Sequence, residues 1–543
     1  MSSSLSRGGG PLSSIKPKFF TKKREIVLFG STAIALYGYD QGMMSLVNTN
    51  RSYLRTMNIS ESSPMVGIIV SVYYLGCTVG AVIASWWADK KGRKPSILAC
   101  LVTTMIGNLI MFIAGMSPVL DRATSTWGGA AMAFMIVGRV VLGLGVGGID
   151  VTIPIYSSEL TKDKSRGRAL AQEFQMNIFG LLLAFSINIG VTEALGKDNQ
   201  WAWRIPIVVM QIFPILLISS ISHLPESPRW YVAQKREHDA MMSLSALFDE
   251  LKARETLEEL QEAQRSEDDG KDIGYVDMVF PHGSQFHPTM LTVMGQINQA
   301  LTGYGAVSVY GPQIFELLGF GVRDAQFITL GNYASYFVMM TAAWLTIDRL
   351  GRRKLMVWGS IGLSVCFALL TVFGGLSFVA HVSSITAEIM GSVTLFVATA
   401  IFGVCWLTTV WLIPTEIYPN GARAQGSSAS VIIWGLANFT ITLLTPIIFN
   451  NLNYWLFLVF AVTNAFAGWW TWKYSPETGG RSFEENQEFF ESAREEKTWA
   501  VRDVQGGRFL RMPRKAAENE VDRKGRQSET APLLGSQTGS TSD

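Results

Sequence analysis

Charged residues are scarce over most of this sequence. Only 16% of its 543 residues are Asp, Glu, Lys or Arg, and 52 of these 88 lie in three segments, 1–25, 229–287 and 473–543. The other 388 residues hold 36 charges, about 9%, whereas soluble domains carry about 25%. A soluble domain needs far more polar surface than this, so we predict a polytopic membrane protein surrounded by lipid. The net charge of +2 also argues against a nucleic-acid partner.

Signatures of catalysis and of metal binding are missing as well. The four cysteines lie in apolar stretches without CxxC spacing, and the five histidines form no HExxH motif. The sequence has no GxSxG motif and no P-loop. Residues 143–148 match GxGxxG, but they follow no strand and lie inside an apolar helix, which argues against a dinucleotide site. We therefore predict no enzyme activity, no bound metal and no cofactor.

Twelve apolar segments reach the length of about 20 residues that crosses a hydrocarbon core about 30 Å thick. The alternative is buried helices of a soluble core, but such helices rarely recur twelve times at this length. Loops after even-numbered segments hold 13 Lys and Arg, and the opposite loops and helix ends hold six. This asymmetry predicts that both termini and residues 229–287 are cytoplasmic. The segments start near Ile26, Met65, Pro95, Gly129, Ala169, Ala202, Pro288, Gln326, Leu355, Glu388, Ala424 and Tyr454.

The two halves of the chain repeat each other. The loop that starts at Asp89 recurs from Asp348, an offset of 259 residues, and Glu159 recurs as Glu416, an offset of 257. Such parallel repeats are typical of alternating access around a midplane site. We predict an all-α membrane protein with 12 transmembrane helices in two six-helix pseudo-repeats. Its parts are a cytoplasmic N-terminal segment 1–25, an N-terminal lobe 26–228, a charged cytoplasmic linker with short helices 229–287, a C-terminal lobe 288–472 and a largely disordered cytoplasmic tail 473–543.

Equal spacing in the two halves also marks a set of charged residues at the predicted cytoplasmic helix ends. Glycine permits a tight turn in each repeated loop, and the arginine fork can bind a carboxylate through two hydrogen bonds. Such clusters, one in each half, would latch an inner gate when it is shut. The alternative is that the loops only set topology through their positive charge. The predicted gating residues are Arg93, Glu159, Arg166, Arg352, Glu416 and Arg423.

Two charged residues lie much deeper in the predicted bilayer. Asp40 is 14 residues into the first segment and Arg139 is 10 residues into the fourth, which enters from the opposite side. At about 1.5 Å per residue, both reach the middle of the membrane. An Asp and an Arg at one depth can neutralise each other, and protonating the Asp would release the Arg, which predicts proton coupling. The alternative is a static ion pair. Asp150 and Glu173 are further carboxylates, either protonatable or facing a wet vestibule.

Several motifs together resemble the sugar porter family of the major facilitator superfamily, especially its fungal sugar and polyol transporters. The resemblance covers about residues 26–490 and implies a secondary transporter with a central site between two lobes. It also implies proton symport, because proton-coupled members carry an Asp and an Arg at the positions of Asp40 and Arg139. The motifs are residues 38–42 (GYDQG), 138–147 (GRVVLGLGVG), 154–159 (PIYSSE), 225–230 (PESPRW), 414–419 (PTEIYP) and 476–478 (PET).

The substrate-contacting positions of that family match less well. Its helix-five Gln is Phe174 here, and in helix seven Gln299 is kept while the second Gln and the Asn become Ala300 and Gly305. Losing three amides argues against an ordinary glucose carrier, because each lost partner leaves a buried hydroxyl unsatisfied at about 1–3 kcal/mol. We expect the substrate to be a neutral polyhydroxylated sugar or polyol. The alternatives are a facilitator or exporter of a cyclic organic acid or other metabolite, and a nutrient sensor. The predicted substrate-binding residues are Gln299, Tyr310, Trp411, Asn438, Phe174 and Gln175; the alternative for Gln299, Trp411 and Asn438 is helix packing.

Short signals outside the helices bear on localisation. Asn58 begins an Asn-Ile-Ser sequon in the first external loop, which predicts glycosylation. Residues 529–534 resemble an acidic dileucine sorting signal, with a chance match as the alternative. We therefore expect a monomeric multi-pass protein of the plasma membrane, with the vacuolar or endosomal membrane as the other address, and lipids as its surroundings.

Overall fold

The computed structural model describes residues 22–60, 63–116, 128–160, 166–268, 275–379, 385–419 and 422–513. Every regular element within these ranges is helical. Long apolar runs favour helices here, because only a helix satisfies every backbone group of a single segment inside lipid. The helices of the first half are α1 (Lys22–Val47), α2 (Arg51–Met57), α3 (Pro64–Lys91), α4 (Arg93–Ile113), α5 (Gly128–Leu160), α6 (Arg166–Leu195), α7 (Gln200–Val209) and α8 (Ile212–Ile221).

Four helices occupy the charged stretch between the halves, and the second half then follows. The four are α9 (Pro228–Ala233), α10 (Glu237–Ser245), α11 (Glu250–Asp268) and α12 (Tyr275–Val279). The second half comprises α13 (Phe286–Leu301), α14 (Tyr304–Val309), α15 (Gly311–Leu317), α16 (Val322–Leu350), α17 (Arg352–Val379), α18 (Ile385–Phe402), a π-helical turn (Gly403–Leu407), α19 (Thr408–Ile417), α20 (Arg423–Leu452) and α21 (Trp455–Tyr474).

Eight helical stretches within the described ranges are long and apolar enough to cross a membrane. Four of the twelve predicted spans fall outside this set, at α1, α13–α15, α16 and α21. The seventh predicted span is interrupted, because Gly303 has a φ of +81° and separates α13 from α14. Twelve spans therefore stay a prediction. The eight are Pro64–Lys91, Arg93–Ile113, Ala130–Leu160, Leu170–Leu195, Gln200–Ile221, Arg352–Leu376, Ile385–Ile417 and Gln425–Leu452.

Glycines bring the helices of the first half into backbone contact. A Cβ added at Gly76 of α3 would collide with the backbone of Val140 on α5, and one added at Gly143 of α5 would collide with the backbone of Tyr73 on α3. Small residues four apart on facing helices are a common means of close packing in lipid. Helix α3 also packs on α20, and α6 packs on α16, and these two pairs make the most extensive contacts between the halves.

The beginning of the segment predicted to be a disordered tail is folded. Helix α22 (Phe483–Glu495) starts with a capping box between Ser482 and Glu485, and a 3₁₀ turn follows at Val504–Leu510. The rings of Phe489, Phe490 and Phe509 are buried. The prediction of a largely disordered tail therefore does not hold for this stretch, because three aromatic rings pack against the second half. Residues 514–543, including the dileucine-like motif, lie outside the described residues.

Candidate functional site

A buried ion pair joins α1 to α5. The Arg139 guanidinium donates to the Asp40 carboxylate at 2.5 Å, and both residues are 1% exposed. Arg139 also donates to the backbone carbonyl of Val70 on α3 at 3.2 Å, and its guanidinium carbon lies 4.5 Å from the centre of the Tyr73 ring. A buried charge is stable only when it is paired and hydrogen-bonded. Arg139 thus has an ion pair, a hydrogen bond to the backbone and an aromatic contact. The ion pair and the hydrogen bond that the structure shows for Asp40 both come from Arg139.

A cavity of about 770 Å³, counting its open mouth, lies between the two halves. Its walls come from α1, α5 and α6 of the first half and from α19 and α20 of the second. Most lining residues are aliphatic, proline or aromatic, and none of them is Lys or Arg. The cavity is therefore suited to a compact solute with apolar surface.

Four aromatic rings line this cavity in sequence. Phe174 and Trp411 have ring centres 5.8 Å apart, Trp411 and Trp434 are also 5.8 Å apart, and Tyr37 follows at 5.4 Å from Trp434. Tyr37 and Phe174 belong to the first half of the chain, and the two tryptophans belong to the second. We call these four residues the aromatic wall. It crosses the interface between the halves, so movement of one half against the other would change its shape.

Phe174 and Trp411 are the predicted substrate residues that the structure brings to the cavity. The amide of Gln299 instead donates to the carbonyl of Leu407 at 3.2 Å, and the amide of Gln175 donates to the carbonyl of Phe337 at 2.9 Å. The remaining two predicted residues also donate hydrogen bonds to backbone carbonyls. Asn438 donates to the carbonyl of Trp434 and Tyr310 donates to that of Thr442. These four side chains do not line the cavity and instead connect helices or bond within one.

Most cavity residues were not predicted as substrate contacts, among them two aromatic side chains and one carboxylate. Tyr37, Asp150 and Trp434 all line the cavity. A carboxylate inside an apolar helix marks Asp150 in the sequence, which left a protonatable site and a wet vestibule as the alternatives. Trp434 lies about one helical turn before the predicted substrate residue Asn438 on α20, so a search of that helix for aromatic residues would have found it.

Charged residues at the end of the first half where α3, α4 and α5 meet form one cluster. Arg93 binds Glu159 through two hydrogen bonds of 3.0 and 3.2 Å and Asp89 through one of 2.7 Å. The turn before Arg93 is made by Gly92, whose φ is +105°, a conformation that favours glycine. Glu226 accepts from the backbone N–H of Arg93 at 3.1 Å and so caps the start of α4.

The second half repeats this cluster. Arg352 binds Glu416 at 2.7 Å and Asp348 at 3.1 Å, and Glu477 accepts from its backbone N–H at 2.9 Å. Gly351, with a φ of +88°, makes the turn. Burial raises the pKa of Glu477, and burial likewise raises the pKa of its counterpart Glu226, although backbone N–H donors act to lower both. The two clusters therefore share one arrangement of an arginine, three acidic residues and a glycine turn.

Within the described residues, a hydrogen bond joins the second cluster to the first half of the chain. The backbone N–H of Arg168, at the start of α6, donates to the Asp348 carboxylate at 3.2 Å. The side chains of the predicted gating residues Arg166 and Arg423 lie outside what the structure describes. The predicted pairs Arg93 with Glu159 and Arg352 with Glu416 thus lie within the halves, and Asp348 provides the link between them.

The chain matches a known protein family over most of its length. The family model described as "Sugar (and other) transporter" matches residues 26–490. The chain belongs to this sugar transporter family. Among curated relatives, the MFS-type transporter oryC of Aspergillus oryzae is 30% identical over 478 residues, which cover 85% of this chain and 84% of that protein. The sugar transporter STL1 of Saccharomyces cerevisiae is 28% identical, with coverage of 88% and 83%.

Solved structures show that the fold is that of the major facilitator superfamily. The proton:xylose symporter XylE bound to 6-bromo-6-deoxy-D-glucose aligns with a TM-score of 0.72 at 23% identity, covering 86% of this chain and 99% of that one. The partially occluded inward-open form of the xylose transporter XylE from E. coli aligns with a TM-score of 0.71 at 21% identity, covering 85% and 100%. As a member of the sugar transporter family, the protein is a multi-pass membrane transporter, and its family consists of transporters and not enzymes.

The predicted glycosylation site lies on a short loop after α2. Asn58 caps the helix in the left-handed conformation with a φ of 53°, and its backbone N–H bonds to the carbonyl of Arg55 at 3.1 Å. The side chains of Asn58 and Ser60 are exposed. The sequon is therefore accessible in the folded protein.

Proposed function

We propose that the protein imports a neutral sugar or polyol together with protons by alternating access. The proposed architecture has twelve spans, both termini in the cytoplasm and a cytoplasmic linker at residues 229–287. Relatives support the substrate class and the coupling by what they are named to carry. The D-xylose-proton symporter of Escherichia coli is 25% identical over 87% of this chain, and the major myo-inositol transporter IolT of Bacillus subtilis is 28% identical over 86%.

The observation that carries proton coupling is the buried pair of Asp40 and Arg139. A proton on Asp40 would remove its charge, and Arg139 would then be held by the carbonyl of Val70 and the ring of Tyr73. Both of those contacts are on α3, whereas Asp40 is on α1. Protonation would therefore weaken the link between α1 and α5, while the arginine would keep its partners on α3. A switch between two arrangements of a lobe requires such a change of contacts.

The cytoplasmic clusters supply the gate in this proposal. Arg93 with Glu159 and Arg352 with Glu416 would tighten the inner ends of each lobe, and Asp348 would hold the lobes together through the start of α6. Opening to the cytoplasm would break the Asp348 contact first, because it is a single hydrogen bond at an exposed position. Arg166 and Arg423 would belong to the same clusters.

The cavity lining bears on the alternative of a cyclic organic acid. An anion needs a positive partner when it is removed from water. The residues that line the cavity include Asp150 and no Lys or Arg, so a negatively charged solute would meet only a like charge there. A neutral solute carries no such penalty, which favours the sugar or polyol. In this proposal Gln299, Gln175, Asn438 and Tyr310 support the helices around the cavity instead of binding the substrate.

A substrate screen tests the proposed function. Purified protein in liposomes would be given an inward proton gradient and radiolabelled D-xylose, D-glucose, myo-inositol, D-mannitol and quinate in turn. We expect at least one neutral compound to accumulate above its external concentration, and accumulation to vanish when a protonophore collapses the gradient. Accumulation of the acid alone, with no neutral compound transported, would refute the proposal. We place the protein in the plasma membrane as a glycosylated monomer, with the vacuolar or endosomal membrane as the other address.

A further inference from the structure

The cavity presents one acidic group among largely apolar surroundings. Besides the aromatic wall, its polar lining consists of Asp150 on α5 and of hydroxyl side chains on α19 and α20. The hydroxyl residues are Thr415, Ser427 and Ser430. No amide side chain and no basic side chain is among the residues that line it. Asp150 is therefore the strongest hydrogen-bonding group that a solute in this cavity can meet.

Asp150 has no partner in the described part of the protein. No hydrogen bond or ion pair joins its carboxylate to any described residue, in contrast to Asp40. Arg139 lies on the same helix, but 11 residues separate the two, about 16 Å along the axis, and its guanidinium binds Asp40. A polar group in an apolar setting is costly unless it is hydrogen-bonded, so a carboxylate that lines a ligand cavity without a protein partner is suited to bind the ligand.

The backbone adds a second acceptor at the same place. Pro154 lies inside α5 and also lines the cavity. Proline has no N–H, so the carbonyl of Asp150, four residues earlier, lacks its usual intrahelical donor. Residue 150 thus combines a side-chain carboxylate that lines the cavity with a backbone carbonyl that lacks its helical donor. Acceptors without donors select a ligand that donates, and the donor that a neutral sugar or polyol supplies is the hydroxyl group.

We propose that Asp150 is the residue that determines substrate specificity, by accepting hydrogen bonds from two neighbouring hydroxyls of a cyclic sugar or polyol. The apolar face of the ring would lie on the aromatic wall, which has rings from both halves of the chain. This inference rests on the proposed function and refines it to ring compounds with a vicinal diol. Asp150 thereby takes the place of the family amides that are lost at Phe174, Ala300 and Gly305.

The test is tracer exchange in liposomes without a proton gradient, so that it does not depend on proton coupling. The probe is whichever of D-xylose, D-glucose and myo-inositol the unaltered protein exchanges best, and deoxy analogues lacking one hydroxyl each serve as competitors. We expect Asp150→Asn to raise the half-saturation concentration about tenfold or more, because hydrogen bonds to charged groups are the strong ones. Glu173→Gln removes a carboxylate on α6 that does not line the cavity and should change exchange little.

The deoxy analogues separate a binding role from a structural one. Two neighbouring deoxy positions should weaken competition in the unaltered protein but cause no further loss in Asp150→Ala, because the hydroxyls have then lost their acceptor. Equal losses in both proteins at every position would overturn the proposal. If tetraethylammonium competes in the unaltered protein but not in Asp150→Ala, and sugar exchange is unchanged, Asp150 is a counter-charge for cations. That result would also overturn the proposal.

The outcomes also distinguish this inference from the proposed function. If the unaltered protein exchanges a sugar or polyol and the Asp150 variants exchange it equally well, this inference alone fails. If the unaltered protein exchanges none of the three probes, the proposed function fails and the inference fails with it. Asp150→Asn has nearly the shape of the original side chain, and size-exclusion chromatography in detergent checks that it is folded. The deoxy series on the unaltered protein tests the paired hydroxyls even if a variant does not fold.

Discussion

Asp40→Asn should separate substrate movement from proton coupling. A gradient of one pH unit stores about 1.4 kcal/mol per proton, so a carrier that moves one proton with each solute can accumulate it about tenfold. An asparagine amide in place of the Asp40 carboxylate cannot gain or lose a proton in this range. We therefore expect the variant to equilibrate the solute to an inside-to-outside ratio near one, while tracer exchange at equal pH continues.

The same substitution has a stability effect that follows from the contacts of each partner. Removing one member of a buried ion pair typically destabilises by about 3–5 kcal/mol. In Asp40→Asn, Arg139 keeps its contacts with the carbonyl of Val70 and the ring of Tyr73, so we expect a loss of about 3 kcal/mol. In Arg139→Gln, Asp40 loses its ion pair and the hydrogen bond from the guanidinium, so the loss should approach ~5 kcal/mol.

A double variant makes this reasoning refutable. Asp40→Asn with Arg139→Gln leaves no buried charge, so its loss should be smaller than the sum of the two single losses by about 1 kcal/mol or more, the size expected for contacting residues. Unfolding in mixed micelles of dodecylmaltoside and SDS would give the three free energies. Additive losses would show that the two groups do not stabilise each other. Accumulation of solute above a ratio of about two by Asp40→Asn would refute the coupling role itself.

Three further predictions concern packing, the inner gate and the glycan. Gly76→Val should abolish folded protein in detergent, because its Cβ would meet the backbone of α5, whereas Gly190→Ala, with open space at its Cβ, should behave normally in size-exclusion chromatography. Arg352→Ala should slow tracer exchange severalfold, because Glu416 then loses its ion-pair partner. Arg352→Ala with Glu416→Gln should recover part of the rate, and no recovery would contradict the pairing. Ser60→Ala should remove an endoglycosidase-sensitive gel shift while keeping the Asn58 helix cap; an unchanged shift would exclude glycosylation at Asn58.

Residues whose position depends on depth or on repetition could be predicted from the sequence. Counting residues from the helix ends placed Asp40 and Arg139 at one level, and the structure brings them into contact. The repeat likewise pointed to Arg93 with Glu159 and to Arg352 with Glu416, and each pair is in contact. Charges in an apolar helix have few ways to be satisfied, so sequence distance nearly determines their partners.

Residues whose role depends on the rotation of a helix could not be predicted in the same way. Successive residues of an α-helix point about 100° apart, so an error of one position changes the face. A Cβ at Gly435 would meet the side chain of Thr78 and the carbonyl of Tyr74 on α3, whereas Trp434, one residue earlier, lines the cavity. The hydrogen-bond partner of the Gln299 amide could not be predicted either. Backbone carbonyls freed near the π-helical turn accept this bond, and the sequence does not reveal that turn.

Helix α5 connects the two acidic sites that the proposals assign. It carries Arg139, which binds Asp40, and Asp150, which lines the cavity, on one continuous helix. Between them, a Cβ at Gly143 or Gly147 would strike the backbone of α3, so this stretch of α5 cannot move relative to α3 without losing close contact. Release of Arg139 from Asp40 would leave it bound to α3 through Val70. Helices α3 and α5 would therefore move as one body against α1, and that movement changes the distance between Asp150 on α5 and Tyr37 on α1. Proton binding at Asp40 can thus alter the substrate cavity through rigid helices alone.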